Sequence, residues 1–247
     1  MVERAVILAG GKGTRLLPYT SVLPKPLMPV GDRAILEIVL SQLATAGIKQ
    51  VTLCVGYLSH LIRAVLDDRV NGFVEIDYVQ EDRPLGTAAP LRLVEGLDDT
   101  FIVMNGDVLT TLDFNELLRQ HETHAADVTI ATHERKVKID YGIVVVDGED
   151  RIVGFDEKPE FSADVSMGIY VMEPSVLEHI PDTDRADFPD LMLALLRARR
   201  PVYSYRHDGL WFDIGRKDDF EQAVVAWSEN GGSTASRVAA VRTTAEG

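Results

Sequence analysis

The sequence predicts an α/β fold in which a Rossmann-like mixed sheet lies between two layers of helices. Short apolar runs alternate with helical patterns through the first 130 residues, an order typical of βαβ units on a parallel sheet. The strand-like runs are almost continuously apolar, as expected where helices cover both faces of a sheet. Beyond residue 140, strands punctuated by Gly and acidic residues predict antiparallel additions that complete a cleft. Such sheets bind ligands at the carboxyl ends of their strands, where we expect the functional residues.

The individual elements follow from these patterns in chain order. The first half predicts a strand at RAVILA, a helix at AILEIVLSQLATAG, a strand at VTLCVG, a helix at LSHLIRAVLDD, a strand at FVEIDYV, a helical stretch after Gly86, a strand at FIVMNGD, a helix at FNELLRQHETH and a strand at DVTIATH. The second half predicts strands at YGIVVVD, RIVGFDEKP and SMGIYVM, then helices at about residues 189–199 and 217–228. We therefore predict one domain over residues 1–229 and, because the remainder is small and polar, a flexible tail over residues 230–247.

Composition restricts the class of ligand. The 247 residues include 25 Lys and Arg against 39 Asp and Glu, a net charge of −14. This balance argues against a nucleic-acid binder and against a protein that binds anionic membranes. Any phosphate ligand must therefore be held by a local cluster of basic residues.

The cysteine content and the apolar runs indicate a cytoplasmic protein. Cys54 is the one cysteine of the sequence, so no intramolecular disulfide can form, as is typical of a reducing compartment. It lies in the apolar run VTLCVG, which predicts a packed thiol on a strand. No apolar stretch reaches the ~18 residues needed to span a bilayer. The opening run over residues 5–9 is too short for the core of a signal peptide. We expect neither export by that route nor insertion into a membrane.

A glycine-rich basic loop follows the first predicted strand. Residues 5–31 contain no Asp or Glu, although composition alone would place about four there. They do contain Lys12, Arg15 and Lys25, and the glycines of GGKG let backbone amides approach a ligand. The spacing matches neither the P-loop nor the dinucleotide fingerprint, since Leu16 stands where a third glycine belongs. The loop predicts phosphate binding, with a glycine-rich turn bearing solvated bases as the alternative.

Two acidic residues at strand ends are candidate metal ligands. Asp107 ends the apolar strand FIVMNGD, and Asp213 follows the aromatic pair in WFDIG. Mg²⁺ favours one or two carboxylates together with substrate phosphates. A helix cap at Asp107 or a polar turn at Asp213 is the alternative interpretation.

The order of these motifs resembles the sugar-phosphate nucleotidylyltransferases. The string GGKGTRL is followed about ten residues later by Pro24-Lys25-Pro26, as in the signature of that family. Four further segments resemble its pattern in the same order, namely NGD at 105–107, YG at 141–142, EKP at 157–159 and GIY at 168–170. The matches end with Asp213 to Gly215 and so extend from residue 8 to residue 215. The resemblance implies a glycosyltransferase-A-like nucleotidyltransferase fold.

The resemblance also implies a reaction and a role for each matched residue. An oxygen of a sugar 1-phosphate attacks the α-phosphorus of a nucleoside triphosphate, giving a nucleotide sugar and pyrophosphate without a covalent intermediate. The implied catalytic residues are Arg15 on the leaving pyrophosphate and Lys25 on the α-phosphate, with Asp107 and Asp213 as ligands of Mg²⁺. The implied nucleotide-binding residues are Leu8, Ala9, Gly10, Gly11, Lys12, Gly13, Thr14, Glu81, Gly86 and Thr87. The implied sugar-phosphate residues are Asn105, Gly106, Tyr141, Gly142, Glu157, Lys158, Ser166 and Gly168, of which Lys158 meets the attacking phosphate.

The base can be argued from Glu81. Thymidylyl and uridylyl members commonly carry Gln at this place, five residues before Gly86. An ionised carboxylate only accepts hydrogen bonds, and guanine offers N1–H and N2–H₂ side by side. Glu81 therefore favours GTP, with cytosine as the next candidate base and a surface loop charge as the alternative. The string Pro-Leu-Gly-Thr-Ala at 84–88 is similar to the mannose-1-phosphate guanylyltransferases.

The sugar and the assembly stay open at this point. Ser166 stands where the mannose enzymes usually carry Asn, so glucose or heptose 1-phosphate, with CTP, UTP or dTTP, is an alternative to mannose 1-phosphate with GTP. A second alternative is a regulatory subunit that senses a nucleotide sugar without turnover. Members of the family are often dimers or tetramers, so a homo-oligomer is possible.

Overall fold

A computed structural model describes residues 2–69, 74–215 and 217–229 of the chain. The strands are β1 (Arg4–Ala9), β2 (Pro29–Val30), β3 (Arg33–Ala34), β4 (Gln50–Val55), β5 (Glu75–Gln80), β6 (Phe101–Asn105), β7 (Val108–Thr110), β8 (Val128–Lys138), β9 (Gly142–Val146), β10 (Ile152–Glu157), β11 (Glu160–Met172), β12 (Val202–Arg206) and β13 (Trp211–Asp213). The α-helices are α1 (Ile35–Thr45), α2 (Ser59–Arg69), α3 (Phe114–His124), α4 (Phe188–Arg197) and α5 (Lys217–Glu229). The predicted tail over residues 230–247 lies outside the described residues.

The central sheet is mixed, as predicted. Its order is β12-β8-β11-β6-β1-β4-β5. Strands β5, β4, β1 and β6 pair in parallel, and β12 pairs in parallel with β8. Strand β11 is antiparallel to both of its neighbours, β6 and β8. Because it is reversed, β11 brings residues from its middle, not from its end, to the edge where the parallel strands finish.

The core lies on both faces of this sheet. Ile7 and Leu53 face one side, where they join a buried cluster with Leu36 and Leu40 of α1. The neighbouring Val6 faces the other side, where its buried cluster includes Leu191 of α4. Burying each such side chain contributes roughly 1.5–3 kcal/mol. This arrangement confirms the three-layer prediction and explains why β1 and β4 are almost continuously apolar.

Several elements differ from the sequence expectations. The stretch after Gly86 forms a short 3-10 helix over Ala89–Leu93. Its first amides, on Ala88 and Ala89, donate to the Ala186 carbonyl oxygen instead of to a preceding turn. Strand β12 was not predicted, and β13 pairs with β7 in a separate two-stranded sheet. None of the helices among the described residues is long and apolar enough to cross a membrane.

Candidate active site

A cavity of about 520 Å³ opens at the carboxyl edge of the sheet. It is bordered by the segments that follow β1, β5 and β6, the place that the fold class predicts for a ligand. The predicted site residues on its wall are Leu8, Ala9, Gly10, Gly11, Gly13, Thr14, Arg15, Lys25, Glu81, Gly86, Thr87, Asn105 and Asp107. Residues from three distant parts of the sequence are thereby brought to one cavity.

The loop after β1 is fixed by its own hydrogen bonds. Gly13 adopts a left-handed conformation with φ 61° and precedes a 3-10 helix over Thr14–Leu16. The buried Thr20 hydroxyl donates to the Gly13 carbonyl oxygen at 2.8 Å, which holds this turn. Leu16 is buried, whereas Arg15 is exposed and lines the cavity. Lys12 is exposed as well, but it does not lie on the cavity wall.

Lys25 lies between the two predicted metal ligands. Its ammonium forms an ion pair with Asp107 Oδ2 and lies 3.5 Å from Asp213 Oδ1. The pairing of β13 with β7, with Asp213 opposite Val108, places the two aspartates side by side. The Lys25 side chain is only 11% exposed, so its charge is poorly screened by water. Lys25 thus holds two carboxylates at one end of the cavity, although Asp213 itself is not on the cavity wall.

The electrostatics of this cluster favour a further cation. Burial raises the pKa of Asp107 and the charge of Asp213 raises it further, while the Lys25 ammonium acts in the opposite direction. A single ammonium cannot neutralise two carboxylates. The described residues contain no group of three or more His, Cys, Asp or Glu side chains that could hold a metal. The donor set therefore fits Mg²⁺, which takes one or two carboxylates and fills its other positions with water and phosphate oxygens.

Glu81 lies on the wall of the cavity at the end of β5. Its carboxylate packs so closely on Gly10 that a methyl group at Gly10 would overlap it. Glu81 Oε2 accepts from the Leu85 amide at 3.3 Å. Burial raises the pKa of Glu81, and that hydrogen bond opposes the rise. Cys54 is buried near Glu81. Burial, together with the charge of Glu81, raises the pKa of the Cys54 thiol to about 12.

The loop after Glu81 is docked on the start of α4. Gly86 adopts φ 93°, and a methyl group there would lie 2.5 Å from the Ala186 carbonyl oxygen. The Thr87 amide donates to Asp187 Oδ1 at 3.0 Å. Pro26 and Pro84, which belong to two of the matched motifs, also line the cavity, as do Arg185 and Asp187, to which the sequence analysis assigned no role. Asp187 directly precedes the helical pattern of α4, a position typical of a helix cap. Its hydrogen bond to Thr87, 100 residues earlier in the chain, has no signal in the sequence.

Asn105 connects the cavity to β11. A methyl group at Gly168 would lie 2.5 Å from Asn105 Nδ2, so these two residues touch. The Gly168 amide donates to Ser166 Oγ at 3.3 Å, and Ser166 Oγ lies 3.0 Å from the Tyr170 hydroxyl. Gly106 is buried below, where its amide donates to the Leu8 carbonyl oxygen at 2.9 Å. The predicted sugar residues of β11 therefore lie next to the cavity but do not line it.

The remaining predicted sugar-phosphate residues lie at the base of the β9–β10 hairpin. Gly142 and Glu157 are paired across the two strands, and both Glu157 and Lys158 are exposed. Tyr141 is 79% exposed. The structure groups these four residues with one another but does not bring them to the cavity wall.

Known proteins have sequences similar to most of this chain. The family description "Nucleotidyl transferase" matches residues 4–230. A mannose-1-phosphate guanylyltransferase of Mycobacterium tuberculosis is 37% identical over 225 residues, with 87% of this chain and 62% of the relative covered. A UTP–glucose-1-phosphate uridylyltransferase of Synechocystis is 33% identical over 241 residues, with 90% of this chain and 62% of the relative covered. The chain thus spans about 62% of the length of these curated relatives.

Solved structures share the fold. The crystal structure of HddC from Yersinia pseudotuberculosis superposes with a TM-score of 0.69 at 22% identity, covering 92% of this chain and 100% of that one. A putative glucose-1-phosphate thymidylyltransferase from Bacillus anthracis superposes with a TM-score of 0.73 at 22% identity, covering 91% of this chain and 95% of that one. The family match over nearly all described residues, on a sheet of this topology, shows that the chain belongs to the nucleotidyl transferase family.

Proposed function

We propose that this protein transfers a nucleotidyl group from a nucleoside triphosphate to a sugar 1-phosphate, giving a nucleotide sugar and pyrophosphate. GTP and mannose 1-phosphate are the favoured substrates. The observation that carries the proposal is the cavity itself, which brings the glycine-rich loop, Arg15, Lys25, Asp107 and Glu81 together at the carboxyl edge of the sheet. Membership of the nucleotidyl transferase family supports the same class of reaction.

The residues suit direct transfer by positioning and charge. Gly10, Gly11, Gly13 and Thr14 line the cavity, and their backbone amides can donate to phosphate oxygens, as in other glycine-rich phosphate loops. Arg15 is exposed at the rim, where its planar guanidinium can hold the leaving pyrophosphate by paired hydrogen bonds. Lys25 would neutralise the α-phosphate, and Lys158, which lies off the cavity wall, is assigned to the attacking phosphate. Such transfers need positioning and neutralisation of developing charge more than covalent help.

Direct attack needs no covalent intermediate, and the Lys25 amine on the cavity wall is held between Asp107 and Asp213. Among the described lining residues there is no Ser, Cys or His. Cys54 is buried beneath Glu81, and its thiol pKa of about 12 keeps it protonated. We therefore assign direct attack of the sugar phosphate oxygen on the α-phosphorus. Asp107 and Asp213 would hold Mg²⁺, which when bound supplies positive charge to the triphosphate oxygens.

Glu81 supports the choice of GTP. One carboxylate oxygen is engaged by the Leu85 amide, and the group faces the cavity beside Gly10. An ionised carboxylate there would accept from N1–H and N2–H₂ of guanine, whereas uracil and thymine would turn a carbonyl oxygen toward it. The relatives include guanylyl- and uridylyltransferases, so the choice of base needs a direct measurement.

The experiment measures pyrophosphate release with Mg²⁺, crossing GTP, CTP, UTP, dTTP and ATP with mannose, glucose and heptose 1-phosphates. We expect GTP to exceed the other nucleotides in kcat/KM by about 10-fold or more, since one matched hydrogen-bonding edge contributes that much discrimination. Glu81→Gln should remove the preference. Asp82→Asn is the matched control, because Asp82 is the exposed neighbouring acid and does not line the cavity.

Each outcome bears on a stated part of the proposal. If the wild-type protein prefers UTP or dTTP, the argument from Glu81 is wrong while the reaction class stands. If Asp82→Asn and Glu81→Gln change the preference equally, Glu81 does not read the base. If no combination releases pyrophosphate and a nucleotide sugar still binds tightly, the protein is a sensor and not an enzyme.

A further inference from the structure

Arg185 lines the cavity, but the matched motifs and the proposed reaction leave it without a role. Its side chain is 66% exposed, and Nη2 donates to Asp187 Oδ2 at 3.1 Å. Among the described residues, Arg185 makes no other side-chain hydrogen bond. A guanidinium has five N–H donors, so most of them are available to a ligand in the cavity.

The segment over residues 184–188, which carries Arg185, is bound to the loop that follows β5. The Thr87 amide of that loop donates to Asp187 Oδ1 at 3.0 Å. The Phe188 amide donates in the opposite direction, to Thr87 Oγ1 at 2.8 Å. Arg185 therefore stands on the part of the cavity wall that this loop forms.

Leu85 connects the two charged side chains of that wall. Its amide donates to Glu81 Oε2 at 3.3 Å, and its carbonyl oxygen accepts from the Ala186 amide at 3.0 Å. Ala186 is the residue directly after Arg185. Glu81 and Arg185 both line the cavity, and one residue links their two segments by its main chain. The wall therefore presents a carboxylate acceptor next to a guanidinium donor.

The phosphates of a nucleotide have other partners in the cavity. The proposed function places them on the glycine-rich loop after β1 and at Lys25. In the sheet, β4 separates β1 from β5, so the two strands are about 10 Å apart. Asp187 also neutralises part of the charge of Arg185, which makes this guanidinium a weak site for a further phosphate. The base is then the part of the nucleotide that is left for Glu81 and Arg185.

Guanine is the base whose edge matches this pair. It offers N2–H₂ and N1–H to an acceptor and, next to them, O6 and N7 to a donor. A carboxylate accepts from the first two groups, and a guanidinium donates to both of the others. Adenine carries an amino group in place of O6, and the pyrimidines have no N7. Each of these bases would leave guanidinium donors unpaired, which costs affinity.

We propose that Arg185 donates hydrogen bonds to O6 and N7 of guanine and, together with Glu81, selects GTP. This inference rests on the proposed function and deepens it. Asp187 is a positioning residue, because one of its carboxylate oxygens holds Arg185 and the other accepts from the Thr87 amide. The planar guanidinium reaches two neighbouring acceptors at once, a geometry that a lysine ammonium does not offer.

The test separates the base from the phosphates by equilibrium binding. Titration calorimetry with Mg²⁺ compares GDP, UDP and 7-deaza-GDP, in which a C–H replaces N7, on the wild-type protein and on Arg185→Ala. We expect Arg185→Ala to weaken GDP by about 10- to 100-fold, the usual effect of losing a two-point contact to a base. Affinity for UDP, which has the same ribose and diphosphate, should change by less than about 2-fold. The wild-type protein should prefer GDP to 7-deaza-GDP by about 10-fold, the effect of one hydrogen bond to a charged group, and Arg185→Ala should lose this preference.

Two further variants show whether the fork or the charge matters. Arg185→Lys keeps the charge without the planar fork, so it should restore only part of the affinity for GDP. Arg83→Ala is the matched control, because Arg83 is similarly exposed and pairs with Asp184 but does not line the cavity. We expect Arg83→Ala to bind all three ligands as the wild-type protein does.

Two results would overturn the inference while leaving the proposed function intact. Equal weakening of GDP and UDP by Arg185→Ala would show that Arg185 serves the ribose or the phosphates. Unchanged binding of GDP would show that Arg185 contacts no part of the nucleotide. If the wild-type protein prefers UTP or dTTP in turnover, this inference fails with the argument from Glu81, and the reaction class stands. If the wild-type protein binds no diphosphate and releases no pyrophosphate, the proposed function itself fails.

Discussion

The substitution Gly86→Ala tests how strongly the loop that carries Thr87 depends on the start of α4. Gly86 has φ 93°, a region that residues with a Cβ atom rarely adopt. A methyl group there would lie 2.5 Å from the Ala186 carbonyl oxygen and 2.8 Å from Asp187 Oδ1. Neither atom can move away freely, because the first accepts from the Ala88 and Ala89 amides and the second from the Thr87 amide. The backbone strain and the steric overlap therefore add.

The size of the effect follows from these two terms. A non-glycine residue in such a backbone conformation costs about 1–3 kcal/mol. Overpacking against fixed atoms costs typically ~1–3 kcal/mol more. We expect a loss of about 3 kcal/mol in the free energy of unfolding, which for a domain of this size lowers Tm by about 6–12 °C. Activity should fall as well, since the displaced loop also carries Thr87 and contacts the wall that holds Arg185.

Thermal unfolding followed by circular dichroism measures this difference. Gly148→Ala provides the control, because no atom lies within 4 Å of the added methyl and its φ is not positive. That variant should unfold within about 2 °C of the wild-type protein. A Gly86→Ala protein that also unfolds within about 2 °C of the wild type would refute the reasoning, because it would show that the loop moves without cost.

Three further predictions address the charged and buried groups of the site. Lys25→Met should lower kcat by about 100-fold or more and should also lower Tm, because two carboxylates lose their shared cation. Lys49→Met is the control, because it breaks only the exposed ion pair with Glu3 and should change neither kcat nor Tm. Near-normal turnover of Lys25→Met would contradict the role of Lys25. Burial raises the pKa of Glu81 above the ordinary 4.5. The folded protein therefore binds the carboxyl proton more tightly than the unfolded chain does. As pH rises through the folded pKa, the proton is lost and the buried carboxylate destabilises the fold. The Tm of Glu81→Gln minus the Tm of the wild type should therefore increase between pH 4 and pH 8. A Tm difference that stays constant over this range would show that Glu81 titrates normally. The thiol pKa of about 12 predicts that Cys54 reacts with a disulfide reagent at pH 8 only after denaturation, and fast reaction of the native protein would contradict its burial.

Most of the secondary-structure elements could be predicted from local sequence patterns. Strands β1 and β4 are apolar on both faces, and the helical spacing of residues 35–45 is undisturbed by Gly or Pro, so periodicity alone identifies them. Strand β12 was not predicted because it is a short, mostly exposed edge strand without a continuous apolar run. The stretch after Gly86 was expected to be helical and is a 3-10 helix, and the amides at its start, on Ala88 and Ala89, donate to Ala186 from another part of the chain. Propensity is outweighed there by a tertiary contact.

Some residues of the candidate site could be predicted from local sequence, and others are brought together only by the fold. The loop over residues 10–15 could be predicted because its glycines and bases are adjacent in sequence, and the cavity lies where that loop ends. Asp107 and Asp213 are distant in sequence, and only the pairing of β7 with β13 explains why one lysine reaches both. Arg185 had no signal at all, because an exposed arginine beside two acids reads as an ordinary solvated surface. It lies on the cavity wall and pairs with Asp187, whose other partner Thr87 lies 100 residues earlier.

The balance of charge in the cavity explains why the protein can be acidic and still suit an anionic substrate. Arg15, Lys25 and Arg185 face the carboxylates of Glu81, Asp107 and Asp187, and Asp213 adds a fourth acid beside Lys25. The side chains alone therefore give no surplus of positive charge for a triphosphate. Under the proposed function, attraction would come from the backbone amides of the loop after β1 and from a divalent cation on the two aspartates. A side chain whose direction is fixed by a partner is then free to discriminate, as Glu81 is by the Leu85 amide. Affinity and base preference are thus assigned to different parts of the same cavity, which is why Glu81→Gln should change nucleotide preference without abolishing nucleotide binding.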